Sequence, residues 1–190
     1  MKKLTKNYKA VLKPITIIIV AALLAVTIVS LRKIILKINY PQKYQEYVEK
    51  YAKENEIEKE LIYAMIKAES NFKETAKSNK SAIGLMQILE STAYEVAEEL
   101  EIKITKEDLN TPEINIQIGA RYIANLIKIY GNLELAVASY NAGIGNVNSW
   151  IEEGTIKKDG TDIENIPFEE TNNYVRKILR NYKIYKELYS

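Results

Sequence analysis

The chain has 190 residues, with 27 lysines and arginines, 25 acidic residues, and neither histidine nor cysteine. That length suits one ordinary domain with a short appendage and is ample for a single hydrophobic core. The two absences exclude a Ser-His-Asp triad, a thiol nucleophile, a disulfide, a His/Cys zinc site and a lipid-modified cysteine, so acid–base chemistry falls to Glu, Asp, Lys or Tyr.

The formal charge of +2 averages two unlike parts. Residues 1–38 hold 8 basic residues and no acidic one; removing those 8 from the 27 leaves 19 basic against 25 acidic in residues 39–190. An acidic body without a basic stripe argues against nucleic acid as a partner. Within the arm, residues 15–31 (ITIIIVAALLAVTIVSL) carry no charge. At ~1.5 Å per residue they span roughly 26 Å, slightly short of a ~30 Å hydrocarbon layer, and Lys13 and Arg32 snorkel to cover the difference. The segment reads as a signal anchor. Residues 1–14 are then a basic cytoplasmic tail, 15–31 a transmembrane helix, 32–40 a linker and 41–190 an exported domain. The five lysines ahead of the segment favour an N-in orientation, a bias that Arg32 and Lys33 weaken. Cleavage as a signal peptide, with a secreted product, is the alternative, although Ser30 offers a poor exit site.

The body reads as helices, and each of its three prolines opens an apolar-periodic stretch. From Pro41, Tyr44, Tyr47, Val48 and Tyr51 follow helical spacing. A second helix runs from about Glu58 to Ser70, then a polar loop, then a helix from about Leu85 to Leu100. Pro112 to Tyr130 forms a long helix stopped by Gly131. Asn132 caps the next, which ends at Gly143. A short helix around Val147 to Ile151 follows, and a tail helix from Phe168 to Tyr189 repeats apolar residues at Tyr174, Val175, Ile178, Leu179, Tyr182 and Tyr185. Apart from a short hairpin near residues 155–163, strand-like alternation is absent. The expected class is all-α or nearly so.

One carboxylate stands out. On the second helix, Leu61, Ile62, Ala64, Met65, Ile66 and Ala68 cover a broad apolar arc, and Glu69 falls inside it, with Tyr63, Lys67 and Ser70 on the polar side. A carboxyl group on an apolar face loses hydration, which raises its pKa and keeps it neutral, as a general acid must be. The competing reading is a helix-terminal Glu turned to solvent or paired with Lys73.

The neighbouring residues resemble a known family. AESNF (68–72), SNKSAIGLMQI (78–88), STA (91–93), LNTPEINIQIGARYI (109–123), AVASYNAGIGNV (136–147) and IPFEETNNYV (166–175) are similar, in order and spacing, to the soluble-lytic-transglycosylase-like (SLT) domain of peptidoglycan lytic transglycosylases. That family is related in fold to goose-type lysozyme. The resemblance spans nearly all of residues 57–180. It implies a lysozyme-like fold and makes Glu69 the catalytic acid/base. Ser78 and Gln87 match polar positions along the family's glycan cleft, Met86 the residue packed beside them, Tyr140 and Asn141 the YNAG positions, and Glu170 the acid of the late E-T-x-x-Y-V segment. Each has an ordinary alternative: Met86 and Tyr140 as core, Gln87 as a loop cap, Asn141 as a helix-end residue and Glu170 as a first-turn dipole partner. Three positions depart from the family pattern. Glu74 stands where proline is frequent, Ser81-Ala82 where Gly-Ala is usual, and Asn172 where an arginine is usual.

The resemblance further implies cleavage of the β-1,4 bond between N-acetylmuramic acid and N-acetylglucosamine, with the muramic acid's own C6 hydroxyl as nucleophile. The product is a 1,6-anhydromuramoyl end. No metal or nucleotide is required, and neither Glu74 nor Glu90 has the context of a second catalytic acid. The partners expected are peptidoglycan strands, the cytoplasmic membrane and an unidentified envelope machinery. A hydrolytic muramidase and a non-catalytic wall-binding module remain the alternatives.

Overall fold

A computed structural model of the chain describes residues 2–190, with side chains in the first helix described for Pro14 and from Thr16 onward. The chain forms two compact units, Met1–Pro41 and Gln42–Ser190. The first is one helix, α1 (Lys2–Asn39). Its stretch Thr16–Asn39, 24 residues, is long and apolar enough to cross a membrane by length and composition, and large side chains such as Ile17, Leu24 and Ile38 are exposed. The helix continues through residues 32–39, which the sequence reading assigns to a linker. No glycine or proline interrupts that stretch before Pro41, so nothing local stops it.

The second unit contains α2 (Gln45–Glu54), α3 (Lys59–Glu69), α4 (Glu90–Glu99), α5 (Pro112–Tyr130), α6 (Leu133–Ala142), α7 (Ile144–Glu152) and α8 (Glu169–Tyr189). Short 3₁₀ turns lie at Glu107–Asn110 and Ile163–Asn165. Helix α3 is the core element, packed between α2 and α8, while α6 lies against α5 and α8. Every side chain from Glu60 to Ile66 is buried, as in a helix enclosed on all sides. Tyr63 is therefore not on a polar face. Its ring is fully buried and stacks on Tyr185 of α8 at 5.4 Å.

Helix signals at α5 and α6 act as expected: Pro112 sits in the first turn, Gly131 takes φ 60° and Asn132 accepts the Leu135 N–H at 2.9 Å. Pro41 and Pro167 differ. Helices α2 and α8 begin at Gln45 and Glu169, so both prolines serve the extended approach to a helix. The hairpin expected near residues 155–163 is a run of turns, with Asp162 Oδ1 accepting the Lys157 N–H at 2.8 Å.

The helix expected from Leu85 starts instead at Glu90. Residues 83–88 form a tight loop with Gly84 at φ 81° and Gln87 at φ 49°, and Ile83 bridges both Lys77 and Ile88. The buried Asn115 of α5 nails this loop down: its Oδ1 accepts the Met86 N–H at 2.8 Å, and its Nδ2 donates to Ile83 O at 3.0 Å and Leu109 O at 2.8 Å. A Cβ on Gly84 would lie 2.2 Å from Asn115 Nδ2, so only glycine fits. One turn on, Gly119 leaves room for the Met86 side chain, whose Sδ would lie 2.4 Å from any Cβ there.

Candidate active site

Glu69 is the last residue of α3, where the most buried helix emerges at a cleft of about 160 Å³. Burial pushes its carboxyl up to about 7 from 4.5, opposed by the Tyr174 hydroxyl, which donates to Glu69 Oε1 at 2.5 Å, and by the Lys177 cation. Its hydrogen-bond partner is thus a tyrosine of α8 rather than Lys73. Desolvation outweighs both opposing effects, and a carboxyl at about 7 is poised to give and take a proton near neutral pH.

Ser78, Gln87, Tyr140, Asn141 and Glu170 line the same cleft, together with Lys80, Ala82 and Leu89. A second basin of about 210 Å³ shares Gln87, Leu89, Tyr140 and Asn141 and adds Thr92, Tyr122 and Gly143 among its lining. The two basins share four lining residues and therefore adjoin.

Local hydrogen bonds fix these groups. Ser78 Oγ accepts the Lys80 and Ala82 N–H groups at 3.2 and 3.0 Å, and Gln87 Nε2 donates to Ala76 O and Gly84 O at 3.0 and 2.9 Å. Both side chains therefore tie the loop while bordering the cleft. Met86 is fully buried behind it and is not among the lining residues. Its carbonyl accepts the Tyr140 hydroxyl at 2.8 Å, so Asn115, the 83–88 loop and Tyr140 form one chain of support. The Tyr140 ring tilts against Tyr122 at 5.1 Å. Asn141 Oδ1 accepts the Thr171 hydroxyl at 2.7 Å, joining α6 to the first turn of α8. Glu170 is exposed and paired with Lys80 at 3.2 Å.

Two of the three departures from the family pattern, Asn172 and Glu74, make local hydrogen bonds. Asn172 Nδ2 donates to Ile163 O at 2.6 Å and its Oδ1 accepts from Arg176 Nε at 2.8 Å, so it fastens α8 to the preceding turn. Glu74 accepts the Tyr44 hydroxyl at 2.7 Å, while Lys106 pairs with Glu90 and holds its carboxyl below the usual range. Neither lines the cleft. Three contributors escape sequence reasoning: Tyr174, counted among packing residues; Lys80; and Asn115, whose one signal is an amide at an apolar phase of α5, three before Ile118 and one before Ile116.

A mainly helical domain whose central helix delivers a desolvated glutamic acid to an open groove has the lysozyme-like architecture. Residues 46–163 match the family described as transglycosylase SLT domain, and the chain belongs to that family. It is 32% identical over 148 residues to the soluble lytic murein transglycosylase of Escherichia coli K12, covering 76% of this chain and 23% of that relative. Similarity to the membrane-bound lytic murein transglycosylase C of Yersinia pestis (strain Pestoides F) is 34% over 116 residues, 55% of this chain and 32% of that one. An X-ray structure of an inactive Glu-to-Gln mutant of the lytic transglycosylase Slt from Pseudomonas aeruginosa superimposes with a TM-score of 0.73 at 34% identity, covering 80% of this chain and 25% of that one. The chain thus spans about a quarter of the length of the soluble relatives it matches.

Proposed function

We propose that this protein is a membrane-anchored lytic transglycosylase that cuts the β-1,4 bond between N-acetylmuramic acid and N-acetylglucosamine. The observation that carries the reading is Glu69, whose carboxyl burial raises to about 7 where it lines the cleft. The relatives' names and the inactive Glu-to-Gln mutant of Slt support it.

In the first step Glu69 gives its proton to the glycosidic oxygen, the C1–O bond breaks and positive charge develops at C1. In the second, the muramic acid's C6 oxygen bonds to C1 while its proton returns to Glu69. The product is a 1,6-anhydro sugar and no water is consumed. A neighbouring hydroxyl of the same sugar has a large effective concentration, which removes the need for a second activating carboxylate. The other cleft acid, Glu170, is exposed and engaged by Lys80, which fits a one-carboxylate mechanism. Between the steps Glu69 is an anion, and the Tyr174 hydroxyl stabilises it. Ser78, Gln87, Tyr140 and Asn141 supply polar and aromatic surface for the sugars. No residue is needed to hold a metal or cofactor.

In this reading α1 anchors the enzyme, its lysine-rich start inside and the catalytic unit outside. Digestion of purified peptidoglycan, with mass analysis of the muropeptides, tests the chemistry. Anhydro products are expected; products one water heavier indicate a hydrolytic muramidase, and binding without turnover a wall-binding module. Protease added to intact cells should reach the catalytic unit and not the N-terminal tail.

A further inference from the structure

The acidic sum of the body hides one basic stretch that the sequence reading passes over. Residues 171–186 of α8 carry Arg176, Lys177, Arg180, Lys183 and Lys186 and no acidic residue. Removing those five from the body's 19 basic residues leaves 14 against all 25 acidic ones, so one helix face opposes the charge of everything around it. Helix α8 buries Thr171, Val175, Ile178, Asn181 and Tyr185, and it packs on α3 and α6. At helical spacing the opposite face presents Arg176, Arg180 and Lys183, all exposed, with Glu169 and Glu187 only at its two ends.

Little inside the molecule answers these charges. Among the described residues no carboxylate pairs with the three cations, and Arg176 Nε donates to the Asn172 amide oxygen. Lys177 donates to Ala68 O, and Lys186 pairs with Glu58. Lys67 on the adjoining α3 adds to the same field: burial, and then the Lys177 charge, hold its amine below the usual range. An uncompensated row of cations attracts a polyanion. The layout of the chain selects which one. The stretch of α1 with the length and composition to cross a membrane ends at Asn39, and α2 begins at Gln45. The five residues between them reach ~17 Å fully extended. That is comparable with the ~15 Å radius of gyration of a globular unit of this size. A unit anchored through α1 therefore keeps one of its faces at the lipid headgroups, and anionic headgroups attract the cationic face.

We propose that the outer face of α8 docks on the anionic headgroups of the membrane that anchors α1, with Arg176, Arg180 and Lys183 as its contacts. The proposal rests on the anchored reading given above. One cation at such a surface contributes about fivefold to binding, so the three together contribute roughly a hundredfold, and salt screens them.

The test reconstitutes the full chain in lipid nanodiscs. The chain has no cysteine, so Asn173→Cys carries a single fluorophore on the exposed face, one turn before Arg176. On discs containing phosphatidylglycerol, spin-labelled headgroups should quench the label. On pure phosphatidylcholine discs, or at high salt, quenching should be lost. The ratio of docked to undocked label should fall about fivefold in Arg180→Gln and roughly a hundredfold when Arg176→Gln, Arg180→Gln and Lys183→Gln are combined. Equal quenching on both lipids, or none on phosphatidylglycerol, overturns the proposal, and this comparison needs no charge variant to fold. A label left exposed on phosphatidylglycerol discs but shielded by added polyphosphate assigns the face to a soluble polyanion and also overturns it. Flotation of the chain with phosphatidylcholine vesicles at high salt scores the anchor separately. If the anchor fails, flotation with phosphatidylglycerol vesicles at low salt decides: binding that the triple variant loses sustains docking by α8, and no binding sinks it.

Discussion

Two glutamates line the same cleft and live in opposite surroundings. Glu69 ends α3, whose side chains from Glu60 to Ile66 are all buried, and its proton is held up to about 7. Glu170 lies in the first turn of α8, where helix dipoles favour an anion; its side chain is 70% exposed and meets Lys80 at 3.2 Å. One turn beyond Glu170, the same α8 contributes Tyr174 to Glu69. Residue type alone does not raise a carboxyl's pKa. Burial does, through the helix that carries it, and the neighbouring helix supplies the hydrogen bond that limits the shift.

The largest break in that comparison is Glu69→Gln, which keeps the shape but has no proton to give. Turnover should fall by about 10²–10⁴-fold, the usual worth of a general acid, measured by release of anhydro-muropeptides. The same variant reports on burial. Because the folded-state value of about 7 lies above the ordinary 4.5, the unfolded chain holds fewer protons between those pH values, and stability declines as pH rises through the interval. Above pH 7 the wild type carries the cost of a buried anion that glutamine lacks. Glu69→Gln should therefore melt higher than wild type at pH 8, by up to ~3 kcal/mol, and match it at pH 4. Equal melting at both pH values would show that Glu69 is solvated like Glu170.

Asn115→Ala touches neither carboxylate and tests the support of the 83–88 loop. It removes three hydrogen bonds from a fully buried site and orphans the Met86 N–H. A loss of about 2–4 kcal/mol is expected in denaturant unfolding. Glu69, on another helix, should keep its pH profile in whatever fraction remains folded.

Tyr174→Phe sharpens the comparison from the α8 side. Wild-type activity should fall as pH rises through about 7, where the acid ionises. The hydroxyl lowers the Glu69 value against desolvation, so its loss should move that limb to higher pH. It should also reduce kcat by about tenfold, because the anion between the two steps loses a charge-assisted bond. Lys177→Met should shift the limb the same way by less, since Lys177 is the weaker of the two opposing influences.

Much of this frame is legible in local pattern, and the exceptions have a common cause. Pro112 and Gly131 delimit α5 because a missing N–H and a positive φ are properties of single residues. Glu69 announces itself by phase, since one helix turn relates it to Met65 and Ile66. The 83–88 loop does not: Gln87 adopts φ 49° without being glycine, held there by contacts to Ala76 and Gly84. Helical spacing puts Tyr63 on a polar side and Tyr174 in an apolar repeat, and the packing reverses both expectations. One became core and the other a proton-holding partner across 105 residues, a distinction set by which helix arrives opposite. Groups fastened by long-range partners carry no local signature.

The smallest effect belongs to the exposed pair. Lys80 and Glu170 are 74% and 70% exposed, and water screens their attraction. Glu170→Gln and Lys80→Met should each leave stability unchanged and alter KM by less than about threefold, with kcat and the pH limb intact. In the double variant the two effects should add, because a screened pair has little coupling to lose. A large kcat loss in Glu170→Gln, with a second ionisation disappearing from the pH profile, would make Glu170 a working acid or base. The cleft would then hold two catalytic carboxylates, and the hydrolytic reading would replace the transglycosylase one.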